Sequence, residues 1–163
     1  MKVGVISDTH GLLRPEALVA LAGCDLLVHA GDIGKPEILV ALRAIAPLHG
    51  VRGNNDLALP WAAGLPDVLR FNVQGWQVLL VHDLADVPAH LDQEVQVVIT
   101  GHSHKPLIEH REGRLYLNPG SAGPRRFSLP VTLALVEIGA DAWVPEIVPL
   151  LVQQPLKATS RRP

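Results

Sequence analysis

The stretch Met1-Lys2-Val3-Gly4-Val5-Ile6-Ser7-Asp8-Thr9-His10 decides the fold of this 163-residue chain. Its apolar first part predicts a buried strand, and the strand ends directly at a carboxylate and an imidazole. Side chains at i and i+2 of an extended segment point the same way. Asp8 and His10 are therefore expected to converge beyond the end of a sheet, which is where open α/β sheets bind ligands.

The following segments alternate between strand and helix. Helices are predicted over 14–22 and 35–45, and further strands over 25–30 and 48–51. Each of these strands is followed by polar groups. Alternating elements of this length favour right-handed βαβ units and a largely parallel sheet.

The second half of the chain is richer in strands. Turns at Gln74-Gly75 and Glu112-Gly113 predict two hairpins. A short helix is predicted over 85–91, and the polar tail over 153–163 is expected to fray, which leaves 1–152 as a single domain. Two packed sheets with helices outside would house the strands predicted over 68–73, 76–82, 95–100, 107–110, 114–117, 131–138 and 143–148.

Composition excludes several classes of protein. The formal net charge of −2 and the aromatic fraction of 4% give no basic field or stacking platform for an extended nucleic-acid interface. No apolar run is long enough to span a membrane, and no signal peptide is recognised. The single cysteine, Cys24, rules out a disulfide framework and is expected to be a small buried side chain. A cytoplasmic location is therefore predicted.

Seven polar side chains follow the ends of five predicted strands. A lone histidine at such a position is most often part of the core or the surface. Buried together without a cation, however, these groups would face unpaired polar and charge penalties of several kcal/mol. Carboxylate, imidazole and amide donors without thiolate favour Mn²⁺, Fe, Ni²⁺ or Zn²⁺ over a Cys-rich zinc site. The seven are Asp8, His10, Asp32, Asn54, His82, His102 and His104.

These motifs resemble those of the calcineurin-like metallophosphoesterase superfamily, and most of all its YfcE-like branch of small phosphodiesterases. The resemblance covers roughly Met1 to Ser121 and implies a four-layer α/β/β/α sandwich of two mixed sheets flanked by helices. It also implies two divalent metal ions, with Mn²⁺ the first choice. One metal is held by Asp8, His10, Asp32 and His104; Asp32 bridges to the second, which Asn54, His82 and His102 complete. The motifs in chain order are Asp8-x-His10, Gly31-Asp32, Gly53-Asn54-x-Asp56, His82, Gly101-His102-x-His104 and the turn 118–121.

The function implied by the resemblance is phosphodiester hydrolysis through a metal-bridging hydroxide. Asp32, His102 and Asn55 are the expected catalytic groups, and the substrate is a small phosphoester. Alternatives are a non-catalytic protein-interaction scaffold on the same fold and a metal-dependent phosphomonoesterase. A homodimer or homotetramer is also possible. The expected substrate-binding residues are Asn54, Asn55, Arg125 and Arg126.

Two departures from the family pattern stand out. Asn55 occupies a position where the family has His or Cys, so the chain lacks the usual proton donor for the leaving group. His82-Asp83-Leu84 replaces His-Gly-His, and Asp83 would be strained if that position required a positive φ.

Other residues receive structural interpretations. Asp56 is expected to orient the Asn54 loop, and His29 to lie in the core or behind the metal ligands. The apolar segment 57–65, with Trp61, is expected either to wall a pocket or to pack on a partner subunit, and the partner is favoured.

Overall fold

The computed structural model describes residues 1–151. The predicted tail, 153–163, lies outside this range. Neither α-helix of the described chain is long and apolar enough to cross a membrane.

Two short 3₁₀ turns lie at Pro60–Ala62 and Leu84–Asp86. The elements are β1 (Lys2–Ile6), α1 (Pro15–Leu21), β2 (Leu26–His29), α2 (Pro36–Arg43), β3 (Leu48–Gly50), β4 (Val68–Val73), β5 (Trp76–Val81), β6 (Val95–Ile99), β7 (Leu107–Arg111), β8 (Arg114–Asn118), β9 (Thr132–Ile138) and β10 (Trp143–Pro149).

Ten strands form two five-stranded mixed sheets. The first has the order β10-β9-β1-β2-β3, with β1, β2 and β3 parallel and β9 antiparallel to β1. The second has the order β4-β5-β6-β8-β7, with β5, β6 and β8 parallel and antiparallel strands at both edges. The two mixed sheets and both hairpins predicted from the sequence are confirmed.

The core lies mainly between the sheets, where alternate residues of the two sheets meet. Val5 and Val28 of the first sheet belong to the same buried cluster as Leu80 and Ile99 of the second. Full burial of each such side chain contributes about 1.5–3 kcal/mol. On the outer face of the first sheet, α1 and α2 bury a second cluster that includes Leu21, Leu42, Leu27 and Leu133.

The layer outside the second sheet corrects one prediction. Residues 85–91 form no α-helix; the chain makes a 3₁₀ turn at Leu84–Asp86 and continues irregularly. Pro88 explains the difference, because it has no backbone N–H to donate and its ring clashes with the preceding helical turn. Val87 and Leu91 still cover the outward-facing Leu79 and Val98.

The apolar segment 57–65 lies partly against the protein's own core. Ala62 is fully buried, and Trp61 and Leu65 pack against the protein's own core beside α1 and α2. Only Leu57 among these four is exposed. The segment therefore packs in part on the protein's own core, while five of its nine residues stay exposed, and its expected packing on a partner subunit remains a prediction. Cys24 is buried and free, as predicted.

Candidate metal centre

The polar loops that follow the parallel strands meet at one end of the sandwich. Two groups of carboxylate and imidazole atoms form there, one of Asp8, His10 and His104 and the other of Asp8, Asp32 and His82, with all ligand atoms of each group within 4.8 Å of one another. Asn54 and His102 adjoin the second group. All seven side chains singled out in the sequence thus lie together.

The first group surrounds Asp8 and lies beside Asp32. His104 Nε2 lies 3.2 Å from Asp8 Oδ1, and His10 Nε2 lies 3.7 Å from both Asp8 Oδ1 and Asp32 Oδ2. The Nε2 atoms of His10 and His104 are 3.3 Å apart. Two ring nitrogens and two carboxylates therefore point at one small volume.

The second group shares the same two carboxylates. His82 Nε2 lies 3.4 Å from Asp32 Oδ2 and 4.0 Å from Asp8 Oδ1. Asn54 Oδ1 lies 3.1 Å from His82 Nε2 and 3.2 Å from His102 Nδ1. Asp32 Oδ2 is thus near ring nitrogens of both groups, which places this carboxylate between them.

The backbone brings these side chains together differently from the prediction. Asp8, His10, Asp32, His102 and His104 have φ values of 53°, 45°, 54°, 65° and 59°, in the left-handed region rather than an extended conformation. Asp and His tolerate this region better than most residues. Convergence of Asp8 and His10 was correctly predicted, but it arises from tight left-handed bends and not from period-2 strand geometry. Strained backbone of this kind concentrates at functional sites.

Glycines allow the ligand loops to approach one another. A Cβ on Gly53 would lie 2.0 Å from Asp32 Oδ1, and one on Gly101 would lie 2.1 Å from Ser7 Oγ and 2.8 Å from Asp8 Oδ2. No side chain fits at either position without displacing a candidate ligand. Close packing of the ligand loops therefore requires the glycine in the Gly53-Asn54 and Gly101-His102 pairs.

The cluster's charge favours a cation. Asp8 is fully buried, and its Oδ1 accepts no hydrogen bond within the described chain. Burial opposes ionisation of Asp32, yet hydrogen bonds from His82 and Asn55 hold the pKa of this carboxyl well below its usual range. Two carboxylates are thus gathered around a volume with too few donors to satisfy them.

The environment of the cluster shifts the pKa values of His10 and His82 in opposite directions. Burial lowers the pKa of His10 although Asp32 and Asp8 act against it. Burial also opposes protonation of His82, but its bond to Asp32 and the charges of both carboxylates raise its pKa. His82 Nδ1 donates to the Ala30 carbonyl at 2.7 Å, which leaves Nε2 facing Asp32. The unpaired buried oxygen of Asp8 and this set of oxygen and imidazole donors fit divalent cations, which His82 would bind as the neutral ring.

Asn55 contacts Asp32 twice. Its backbone N–H donates to Asp32 Oδ1 at 2.9 Å, and its side-chain Nδ2 donates to Asp32 Oδ2 at 2.8 Å. Asn55 therefore holds the carboxylate that lies between the two groups.

The two arginines expected to bind substrate lie in the exposed loop 124–128. The charge of Arg126 adds to the lowering of the pKa of His10 that burial causes. Within residues 1–151, no side-chain hydrogen bond or ion pair ties Arg125 or Arg126 to the site.

Asp56 and His29 support the loops from behind. The fully buried carboxylate of Asp56 accepts from the backbone N–H groups of Ile33, Gly34 and Gly53 at 3.0, 3.0 and 2.9 Å. His29 Nδ1 accepts from the Gly31 N–H at 3.1 Å, and its Nε2 lies 3.0 Å from Thr9 Oγ1. Both ring nitrogens of His29 are thus occupied, and burial lowers the pKa of His29 to about 4.

Sequence reasoning missed two supporting residues. Asn118 Nδ2 donates to the Gly101 carbonyl at 2.7 Å and to Ser103 Oγ at 3.2 Å, which shapes the loop between His102 and His104. Ser7 Oγ donates to Asp8 Oδ2 at 2.6 Å. The turn motif at 118–121 pointed to Asn118, whereas nothing local marked Ser7.

Two cavities flank the cluster. One, of about 270 Å³, is lined by Arg52, Asn54, Leu57 and His82 among others. The second, of about 360 Å³, is lined by His102, Ser103, Lys105 and Leu107 among others. Asp83 borders both.

Together, the fold and the site define an α/β sandwich protein with a two-part carboxylate and histidine cluster suited to divalent cations. The chain belongs to the calcineurin-like phosphoesterase superfamily, whose domain model matches residues 1–141. A probable metallophosphoesterase of Methanothermobacter thermautotrophicus is 34% identical over 148 residues, covering 83% of this chain and 85% of that protein. The predicted membership of a metal-dependent phosphoesterase family is confirmed.

Solved structures share the fold. YfcE, a phosphoesterase of E. coli, is 23% identical with a TM-score of 0.67 and covers 93% of this chain and 100% of its own. A novel archaeal phosphodiesterase is 20% identical with a TM-score of 0.71 and covers 91% and 100%. Vps29 of Entamoeba histolytica, complexed with Zn²⁺, is 24% identical with a TM-score of 0.69 and covers 93% and 100%. At these identities, the similarity concerns the fold.

Proposed function

We propose that this protein is a dinuclear metal-dependent phosphodiesterase. The observation that carries the proposal is a pair of adjacent ligand groups, one of Asp8, His10 and His104 and one of Asp8, Asp32 and His82, gathered around two buried carboxylates. In this assignment, Asp8, His10, Asp32 and His104 hold one cation, and Asp32, Asn54, His82 and His102 hold the other. The position of Asp32 Oδ2, 3.7 Å from His10 Nε2 and 3.4 Å from His82 Nε2, supports its role as the bridge.

Bound divalent cations supply Lewis acidity, which lowers the pKa of water and neutralises phosphate oxygens. The chain's own groups orient the reaction. Asn55 holds both oxygens of Asp32, and Arg126, whose charge acts on His10, is assigned to bind a phosphate oxygen. Asn55 donates hydrogen bonds but is no useful acid, so we expect slow cleavage of esters with poor leaving groups.

The two cavities support a diester rather than a monoester substrate. Asn54 and His82 line one cavity and His102 lines the other, so each cavity can receive one substituent of a small phosphodiester. The archaeal phosphodiesterase with the same fold agrees with this choice.

The proposal keeps Mn²⁺ as the first metal, because the donors are oxygen and imidazole nitrogen. We also propose a cytoplasmic location, with which the free Cys24 agrees. The proposed assembly is a homo-oligomer.

One assay with matched variants tests the proposal. Metal content is measured first, followed by hydrolysis of bis-p-nitrophenyl phosphate and p-nitrophenyl phosphate with Mn²⁺. The variants are Asp32→Asn and, as a control, Asp141→Asn, which removes an exposed carboxylate in the turn between β9 and β10. We expect wild type and Asp141→Asn to bind Mn²⁺ and to prefer the diester, and Asp32→Asn to lose activity.

Other outcomes decide between the alternatives. A preference for the monoester would indicate a phosphomonoesterase. Wild-type protein that binds metal but hydrolyses neither ester would favour a protein-interaction scaffold, the alternative that the likeness to Vps29 brings forward.

A further inference from the structure

His102 has the most exposed side chain of the four histidines in the cluster. Its side chain is 45% exposed, whereas those of His82 and His104 are 5% and 6% exposed. Packing therefore fixes the rings of His82 and His104 but not that of His102. An exposed ring needs a specific partner if it is to hold one orientation.

The two ring nitrogens of His102 face different partners. Nδ1 lies 3.2 Å from Asn54 Oδ1, on the side of the cluster. Nε2 lies on the other side of the ring, 3.5 Å from Asp83 Oδ2. His102 thus bridges the candidate metal centre and a carboxylate outside it.

Asp83 is itself held in place. Its φ and ψ of −102° and 133° are extended, so the position needs no glycine and the residue is unstrained. Its Oδ1 accepts the Ala85 N–H at 2.9 Å and caps the 3₁₀ turn Leu84–Asp86. With one oxygen fixed by the turn, the other is presented to His102.

We propose that Asp83 is a positioning residue of the metal centre, an inference that rests on the proposed function. The Asp83 carboxylate accepts the proton of His102 Nε2, so Nδ1 keeps its lone pair for the cation held with Asn54 and His82. A carboxylate behind a histidine ligand fixes the tautomer and the ring orientation and raises the basicity of the ligand nitrogen. A glycine at position 83 has no side chain that could do this.

The test compares cation affinity in full-length protein stripped of metal with EDTA and then dialysed. Mn²⁺ is titrated calorimetrically into wild type, Asp83→Asn and Asp86→Asn. Asparagine caps a turn as well as aspartate does, so Asp83→Asn keeps the bond to Ala85 but loses the charge facing His102. Asp86 lies on the same 3₁₀ turn and controls for loss of a nearby carboxylate.

We expect Asp83→Asn to weaken one of the two Mn²⁺ sites by about 10–100-fold, and Asp86→Asn to weaken neither. The absorption spectrum of the Co²⁺-loaded protein should change only in Asp83→Asn, and Asp83→Glu should recover part of the affinity. Melting temperatures in EDTA check the fold. If Asp83→Asn melted below wild type, Asp83→Ser, which also caps the turn, would take its place with the same expected loss.

Equal Mn²⁺ affinity in wild type and Asp83→Asn would overturn the role of Asp83 while leaving the proposed function intact. A similar loss in Asp86→Asn would also overturn it, because the effect would then be general electrostatics. Wild-type protein that bound no Mn²⁺ would overturn the proposed function as well.

Discussion

Asp8 Oδ1 lies 3.2 Å from His104 Nε2, and within the described chain this buried oxygen accepts no hydrogen bond. The other oxygen of the same carboxylate accepts from Ser7 Oγ at 2.6 Å and from the His102 backbone N–H at 3.1 Å. One side of Asp8 is thus tied to the loops, and the other is left facing imidazoles. An unpaired buried carboxylate oxygen is costly, and a cation at this point would compensate for it.

This asymmetry predicts the effect of Asp8→Asn on metal-dependent stability. The amide oxygen can replace Oδ2 in the bonds from Ser7 and His102, while the amide nitrogen replaces the oxygen that faces the cation. We expect Mn²⁺ at a hundred times its Kd to stabilise wild type by about 2.7 kcal/mol per site. Asp8→Asn should lose at least one site's stabilisation, measured by urea unfolding with Mn²⁺ and with EDTA.

Asp141→Asn is the matched control for this experiment. Asp141 is exposed and lies in the turn between β9 and β10, at the end of the sandwich away from the ligand loops. It should retain the full effect of Mn²⁺. A variant Asp8→Asn that Mn²⁺ stabilised as much as wild type would remove Asp8 from the ligand set.

Asp56→Asn should destabilise the fold itself. Its carboxylate accepts three backbone N–H groups from two loops, and an amide at this position leaves at least one buried donor facing another donor. Hydrogen bonds to charged groups contribute about 1.5–3 kcal/mol each, so we expect a loss of about 3 kcal/mol. Urea unfolding in EDTA measures it without interference from metal.

The exposed ion pair of Asp67 with Arg52 provides the comparison for Asp56. Asp67→Asn should cost no more than about 1 kcal/mol, since exposed pairs contribute little. If Asp56→Asn were equally mild, Asp56 would not hold the Gly53 loop to the Asp32 loop.

Much of this architecture could be predicted from the sequence because burial and turn chemistry leave local traces. The apolar run of β1 and the turn at Gln74-Gly75 identified strands and a hairpin without any long-range information. The gathering of seven polar side chains could also be predicted, since parallel strands place their ends at one edge.

What could not be predicted depends on tertiary contacts. The left-handed φ of Asp8 and His10 follows from bends that no local pattern marks. The sequence predicts strain at Asp83 only if that position requires a positive φ, whereas the structure shows an extended backbone and two carboxylate oxygens that face Ala85 and His102. Ser7 donates to the neighbouring Asp8, and Asn118 donates to the Gly101 carbonyl from another strand, and a single sequence reveals neither contact.

Asn55→His should restore a proton donor beside Asp32. The backbone N–H of Asn55 still donates to Asp32 Oδ1 in this variant, so the loop keeps one of its two bonds. A positioned acid contributes typically about 10²–10⁴-fold, and most when the leaving group is poor. We therefore expect a gain of about 10²-fold in kcat/KM on a nucleoside 2′,3′-cyclic phosphate, whose leaving group is an alkoxide.

The gain should depend on the leaving group. Bis-p-nitrophenyl phosphate needs little protonation and should change by less than about tenfold. Asn55→Gln keeps an amide without adding an acid, and it should give no gain on either ester. An equal gain on both esters in Asn55→His would point to altered binding instead of proton donation.

His29 should make stability depend on pH. Burial lowers its pKa in the folded protein to about 4 from an ordinary value of 6.5. The unfolded chain therefore binds the proton more tightly, so stability is fully present above pH 6.5 and is lost as the pH falls towards 4. Between pH 7 and pH 5 the loss from this group is about 2 kcal/mol.

His29→Asn, whose amide oxygen can accept the Gly31 N–H in place of Nδ1, should lack this loss. Urea unfolding of both proteins in EDTA at the two pH values gives the difference, and because the other histidines are common to both, their titration cancels. Identical pH dependence in wild type and His29→Asn would show that the folded protein takes up the proton at His29 as readily as the unfolded chain does.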